Sequence, residues 1–492
     1  MITLKPLSQY QETGSITITL MGEKTPRANL PSELKDTLKL LDLKPGKLEA
    51  VKTAASGKLR VVLYARLPGE LNYDALEALT ADMVKQLNEL KAKQVDVLLL
   101  DAAVKELTSS FYKQLLLAGD CFDRYQTSGV DPLDPGREDK PRESFEPDFT
   151  IYLIKGLALK AEEGKLHRAA LLAEGIRTAR RLVNEPANVL TPERLAQEAR
   201  ALSKQNGFDI EVYDELQIQD MGLQAFWSVA KGSDTPPRFL VMRFMNNPDT
   251  AEVLALVGKG LTYDSGGYAI KPAESMATMF CDMGGAAAVI GAISTLAAMK
   301  ARVNVVAIVA ACENMISGRA FHNGDIIGSL AGKNIEVVNT DAEGRLTLAD
   351  AITYAATVIK ADRIIDIATL TGAVGIALGR EITGVVADDE TIFSALARAS
   401  ELSGDKIWRL PHCEHLAKHN KSERADIKNS GGRPAGTATA ALFCRAFAFG
   451  KPWGHLDIAG TAYQDKASAK APAGATGVGV ELLALATMEL FR

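Results

Sequence analysis

Asn339-Thr340-Asp341-Ala342-Glu343-Gly344-Arg345-Leu346 sets two carboxylates and a guanidinium on alternate residues, directly after the strand-like run at 334–338. Residues two apart share one side of an extended chain, so Asp341, Glu343 and Arg345 are expected to converge at a strand end. Two acids that close repel each other unless a positive charge lies between them, and a divalent metal ion is the commonest answer. The arginine beside them is a ready anion clamp. Alone, such a triplet is more often a surface ion-pair cluster, so its weight comes from a second set of residues.

That set lies in residues 254–285, LALVGKGLTYDSGGYAIKPAESMATMFCDMGG, where Lys259, Asp264, Lys271 and Asp282 stand among glycines. Leu254 to Val257 reads as a short buried strand, and Gly258 to Gly267 as a tight loop that exposes its backbone. Asp282 opens a Gly/Ala-rich helix, Met283 to Met299, where its charge suits the helix start. Four carboxylates and three cations thus fall at the ends of elements, where active sites are usually built. Hard oxygen ligands suit magnesium, manganese or zinc, and four acids suffice for two metals.

The spacing of Lys259, Asp264, Lys271 and Asp282, followed by NTDAEGRL, closely resembles the leucyl (cytosol) aminopeptidases, two-metal exopeptidases for which this octapeptide is the signature. LVNEPANVLTPE at 182–193, ENMISGRAFHNGDII at 313–327, ATLTGA at 368–373, RPAGTATAALF at 433–443 and HLDIAGTAY at 455–463 carry the resemblance from about Arg177 to the C-terminus. It implies that Asp264 and Glu343 are shared between two divalent ions, manganese or zinc, with magnesium or cobalt as alternatives. Lys259 and Asp282 would complete one site, and Asp341, with its backbone carbonyl, the other. Lys271 would stabilise the oxyanion of the tetrahedral intermediate, and Arg345 would hold a bicarbonate ion as general base. Met279 and the Thr369 to Gly372 segment resemble the pocket for the substrate's first side chain. Peptides with N-terminal leucine or another apolar residue are the implied substrates, and a homohexamer the implied assembly. Val478-Gly479 depart from the Arg-Pro of many relatives, which bears on a local loop and not on the metal site.

The elements that must position these groups alternate along the whole chain. Ser15 to Leu20, Leu59 to Ala65, Val95 to Asp101 and Phe149 to Ile154 read as strands, and Tyr73 to Lys91 as an amphipathic helix. A polar, proline-bearing stretch from Ser128 to Pro147 reads as a loop. A long helix, Leu157 to Val183, ends at Asn184-Glu185-Pro186. Strands are then expected at Arg238 to Arg243, Val253 to Val257, Val303 to Ala310, Ile335 to Val338, Arg363 to Ile367 and His455 to Ile458. Helices between them include Leu346 to Ile359 and Thr437 to Ala446. The pattern is α/β in two domains: a smaller N-terminal α/β domain over 1–156, a connecting helix over 157–184, and a catalytic domain over 185–492 with a central, mostly parallel sheet flanked by helices.

With 492 residues the chain is too long for one average domain, and a net charge of −5 offers no electrostatic reason to expect nucleic acid or an anionic membrane. Five widely spaced cysteines without a CxxC pair read as reduced thiols in a cytoplasmic protein. The N-terminus lacks the apolar core of a signal peptide, and the Met283 to Met299 run reads as a buried helix rather than a membrane span. All six histidines (167, 322, 412, 415, 419, 455) fall outside both clusters in sequence, so the usual general base is missing. His412, His415 and His419 have a zinc-like composition but read as solvated, and Cys281 as a buried thiol rather than a nucleophile. A phosphoryl or amide hydrolase with the same acids is the competing enzyme class; a non-catalytic DNA-binding regulator is disfavoured by the acidic balance.

Overall fold

The computed structural model describes the chain apart from residues 11–15, 22–33, 36–43, 45–46, 56–57, 67–72, 101–107, 118–119, 126–128, 132–133, 140–146, 156 and 469–470. Ser15 and Asp101, expected at strand ends, and parts of the expected loop at 128, 132–133 and 140–146 lie outside the described residues. Two compact units result: Met1–Ala173 with Ala467–Pro472, and Glu174–Lys466 with Ala473–Arg492.

The strands of the first unit are β1 (Ile2–Pro6), β2 (Ile16–Met21), β3 (Leu48–Ala55), β4 (Lys58–Arg66), β5 (Gln94–Leu99), β6 (Gly129–Asp131), β7 (Asp134–Asp139) and β8 (Asp148–Leu153), with apolar alternation clearest in β1 and β2. Six of them form a sheet in the order β1-β8-β5-β2-β4-β3, parallel except for the β3–β4 pair. The helix Tyr73–Glu89 buries Leu76, Leu79, Met83 and Leu87, the stripe that helical spacing requires, in one core with Ile18, Val97 and Ile151. The stretch expected to be a loop instead carries the β6–β7 hairpin. Backbone pairing there does not depend on apolar alternation, so hydrophobic periodicity gives no sign of it.

The second unit is built on β9 (Asp209–Tyr213), β10 (Arg238–Met245), β11 (Leu254–Asp264), β12 (Asn304–Asn314), β13 (Ile326–Ile327), β14 (Ile335–Glu336), β15 (Arg363–Ala368), β16 (Thr383–Ala387), β17 (Ile407–Arg409), β18 (Ile427–Lys428) and β19 (Trp453–Asp457). Eight of these make a mixed sheet ordered β17-β16-β19-β15-β11-β12-β10-β9, whose centre, β19-β15-β11-β12, is parallel. A small sheet, β13-β14-β18, stands beside it. The central strands are buried on both faces, as near-continuous apolar runs demand. On one face Ala255 and Val257 pack with Leu348, Ala349 and Ile352 of the helix Gly344–Thr357. On the other, Gly258 meets Gly285 at the start of the helix Gly284–Ala298 so closely that a Cβ on Gly258 would overlap the Gly285 carbonyl, and one on Gly285 the Ile367 carbonyl. The fold is thus α/β, with a helix-covered, parallel-centred sheet in the larger unit.

Two expectations about the site's framework change. β11 continues through Gly258 and Gly260 to Asp264, so the loop starts only at Ser265. Gly258 serves close approach of the helix Gly284–Ala298 and Gly260 close approach of β12, rather than a turn. Met279–Cys281 form a 3-10 turn and Asp282 precedes the helix by two residues. The segment Met279–Ala298 is long and apolar enough to cross a membrane by length and composition, yet 89% of its apolar window is buried within the protein, as in a core helix.

Candidate metal centre and anion site

Three sequence-distant stretches meet at the C-terminal end of β11. Lys259 and Asp264 both belong to that strand, five residues apart, and strict alternation would send them to opposite faces. The register against β12 slips between Leu261 and Tyr263, leaving Thr262 as an extra residue. That bulge resets the alternation and turns both side chains to one side. Asp282 arrives from the 3-10 turn before helix Gly284–Ala298, and Asp341 and Glu343 from the turn before helix Gly344–Thr357.

The groups then interlock. Lys259 Nζ lies 2.7 Å from Asp282 Oδ2, 3.0 Å from Glu343 Oε1 and 3.0 Å from the Thr369 carbonyl. Lys271 Nζ lies 2.8 Å from Asp264 Oδ2 and against Asp341 Oδ1. Asp264, Asp341 and Glu343 each offer an oxygen within 4.8 Å of the others, the one such group of metal-competent side chains among the described residues. Gly344 makes room for this: a Cβ there would overlap Lys259 Cε.

Four carboxylates face two ammonium groups, so acids outnumber bases at a largely buried site where, of the acids, only Asp341 is partly exposed. Burial, with the Glu343 and Asp282 charges, pushes the Asp264 carboxyl up to about 7. Burial pushes Asp282 up to about 6, against the pull of Lys259. Asp341 is raised by burial and by Glu343. Burial also opposes ionisation of Glu343, but Lys259 and Lys271 outweigh it and hold the carboxyl below its usual range. For Lys259, burial disfavours the charge while Asp282, Glu343 and Asp264 more than offset it, so the amine titrates above the ordinary lysine range; Lys271 is raised by the same acids. Glu343 Oε2, Asp282 Oδ2 and Asp341 Oδ1 lack a well-aligned hydrogen bond, although the latter two touch a lysine amine in ion-pair contact. The donor set, its excess charge and these under-used oxygens fit a hard divalent cation.

Arg345 does not join the acids as alternation predicted. Glu343 already has helical backbone angles (φ −76°, ψ −34°) and Gly344 starts the helix. Successive side chains there rotate by about 100° and do not alternate, so Asp341 and Glu343 converge while Arg345 stays within electrostatic reach of both without pairing with either among the described residues. Its guanidinium is buried, donates from Nη1 to the Asn429 carbonyl at 2.7 Å, and has no carboxylate in ion-pair contact among the described residues. Burial lowers its pKa. Thr369 is close to the acids, its hydroxyl 2.7 Å from Asp282 Oδ1. Met279 begins the 3-10 turn before Asp282 and is half-buried. Gly372 opens the helix Gly372–Leu378 with open space where a Cβ would stand.

Sequence distance hid several neighbours. Asn314, at the end of β12, donates to Asp264 Oδ1 (2.8 Å) and to the Thr340 carbonyl (3.1 Å). Thr340 bonds the Gly266 carbonyl and accepts from the Ala269 amide, both at 2.8 Å. Histidines also come nearer than their numbering implies. His322 stacks on Tyr268 (ring centres 4.8 Å apart), and buried His455, with Nδ1 2.5 Å from Asp366 Oδ1, is within electrostatic reach of Arg345. Cys281 is buried, its thiol pushed up to about 12 by burial, which makes it a poor nucleophile. His412, His415 and His419 are exposed.

Comparison with known proteins identifies the family. A family model described as the cytosol aminopeptidase family, catalytic domain, matches residues 177–484. A "Probable cytosol aminopeptidase" of Clostridium perfringens is 41% identical over 97% of both chains, and one of Treponema denticola is 44% identical over 87% of this chain and 88% of its own. A solved structure, bottromycin maturation enzyme BotP in complex with Mn, superposes with a TM-score of 0.84 at 29% identity, over 98% of this chain and 100% of that one. Residues 177–484 hold every acid and lysine of the cluster, and the chain belongs to the cytosol aminopeptidase family, as a metal-dependent aminopeptidase.

Proposed function

We propose that this chain is a leucyl aminopeptidase that removes leucine and other apolar residues from peptide amino termini with two divalent metal ions. Asp264 and Glu343 would be shared by both ions, Lys259 and Asp282 would complete one site, and Asp341 the other. Manganese or zinc are the expected ions, manganese having support from the Mn complex of the structural relative; magnesium or cobalt would be tolerated. Bound ions supply Lewis acidity and lower the pKa of a water toward about 7. The observation that carries this proposal is the meeting of Asp264, Asp341 and Glu343 oxygens within 4.8 Å of one another.

The chain's own residues do the rest. Lys259 must be a neutral amine to donate a lone pair, and an added cation beside it would reverse the field that now keeps it protonated. Lys271, kept charged by Asp264 and its neighbours, would stabilise the oxyanion of the tetrahedral intermediate. Arg345, a buried cation with no carboxylate ion pair among the described residues, would hold bicarbonate as general base. Met279, Thr369 and Gly372 would border the pocket for the first side chain. An apolar pocket separates substrates by only ~1–3 kcal/mol per methylene, so leucine preference would be broad.

Residues 185–492 would form the catalytic domain, linked by 157–184 to an N-terminal domain over 1–156, in a cytoplasmic homohexamer. The deciding experiment is metal analysis of the purified protein together with hydrolysis of leucine p-nitroanilide before and after chelation. About two ions per chain, and activity lost on chelation and regained on add-back, support the assignment. A metal-free preparation that still releases leucine would refute it.

A further inference from the structure

The turn that carries Asp341 and Glu343 is gripped by one side chain from a remote part of the chain. Asn429 directly follows β18 and is fully buried. Its Oδ1 accepts from the Val338 amide at 2.9 Å and the Asn339 amide at 3.3 Å. Its Nδ2 donates to the Asn339 carbonyl at 2.7 Å and the Ala342 carbonyl at 3.2 Å. Its backbone carbonyl is the one that Arg345 Nη1 meets at 2.7 Å, and its amide donates to Glu336 O at 2.9 Å. The β18–β14 ladder, Ile335 with Ile427 and Glu336 with Lys428, brings it there.

We propose that Asn429 is a positioning residue for the catalytic centre: its amide fixes the backbone of 338–342, and so the aim of Asp341 and Glu343, while its carbonyl aims Arg345. A carboxamide is the side chain of this length that accepts from two amides and donates to two carbonyls at once. Aspartate fills the same volume but has no donor for Asn339 and Ala342. Groups that orient metal ligands in this way are worth roughly 10- to 100-fold in metal affinity. The inference rests on Asp341 and Glu343 being ligands.

Asn304 supplies a matched control. It is also buried and makes the same kind of fork, accepting from the Asn247 amide and donating to the carbonyls of Asn247, Thr250 and Glu252, at the opposite end of β12 from the acids. The full-length metal-free chain as wild type, Asn429→Asp and Asn304→Asp would be titrated with Mn²⁺ by calorimetry, and hydrogen exchange followed over residues 338–346. Both variants are expected to lose thermal stability. Only Asn429→Asp should bind Mn²⁺ about 10- to 100-fold more weakly, exchange faster at 338–346 and lose kcat more than KM changes. Equal Mn²⁺ affinity and equal exchange at 338–346 in the two variants would overturn the proposal. Asn429→Ser, which abolishes the donor pair with a smaller side chain, takes the same comparison if the aspartate variant does not fold. A wild type that binds no Mn²⁺ would instead defeat the metal reading, and the exchange arm would still judge Asn429's hold on the turn.

Discussion

Lys259 Nζ stands 2.7 Å from Asp282 Oδ2, and neither group has appreciable access to water. A buried pair of this kind is costly when one partner is removed, because the survivor stays charged out of solvent. Lys259 also reaches Glu343, so it joins the two sequence-distant acid clusters. Metal occupancy, charge and fold stability at this centre should therefore respond together.

Asp264→Ala and Glu343→Ala each remove a carboxylate that the proposal shares between two ions. Both variants should lose bound metal and at least about 100-fold in kcat/KM, which exceeds the effect expected of an outlying orienting group. Elemental analysis beside leucine p-nitroanilide assays checks this. Full metal content in either variant would remove that residue from the ligand set.

Metal affinity should fall as pH drops through about 7 and again near 6, because Asp264 and Asp282 are pushed up to about those values and protons then compete with the ion. Titrations with Mn²⁺ at pH 6 and 8, in buffers of different ionisation enthalpy, should show proton release on binding. For the metal-free chain the stability sign follows from the same shifts. Between the unfolded carboxylate pKa of about 4 and the raised folded values, the folded state binds more protons, so the contribution of these two acids shrinks as pH rises from about 4 to about 7. Chemical denaturation of the metal-free protein across that window measures it.

Lys271→Met should keep its metal but lose roughly 10²- to 10³-fold in kcat, the cost of one oxyanion-stabilising donor. Arg345→Ala should lose about 10²- to 10⁴-fold, the range for a displaced general base, and its remaining rate should no longer depend on added bicarbonate. Rate measurements in bicarbonate-depleted buffer test the second point. Wild-type rates indifferent to bicarbonate would dissociate Arg345 from that role.

Gly344→Ala should be destabilising by about 1–3 kcal/mol, since the added methyl meets Lys259 in a filled site. Metal content should fall in parallel, whereas Gly372→Ala, with open space at its Cβ, should fold normally. Thermal melts and metal analysis on the two variants separate these outcomes.

The chemistry of this protein was written into residue types: acids and lysines at 259–282 and 341–343, glycines beside them, and apolar runs long enough for a helix-covered sheet. Local rules reached that far because ligand type and hydrophobic period are properties of short windows. They missed the bulge at Thr262 that turns Lys259 and Asp264 to one side, since a register slip exists only relative to the neighbouring strand. They set Arg345 in one spot with the acids, but with the helix starting at Gly344 it stays only within their electrostatic reach and spends a donor on the Asn429 carbonyl. Asn314 stood in a quoted motif without a role and Asn429 in none: an asparagine becomes a bracket only when the fold carries it across tens of residues to the groups it holds.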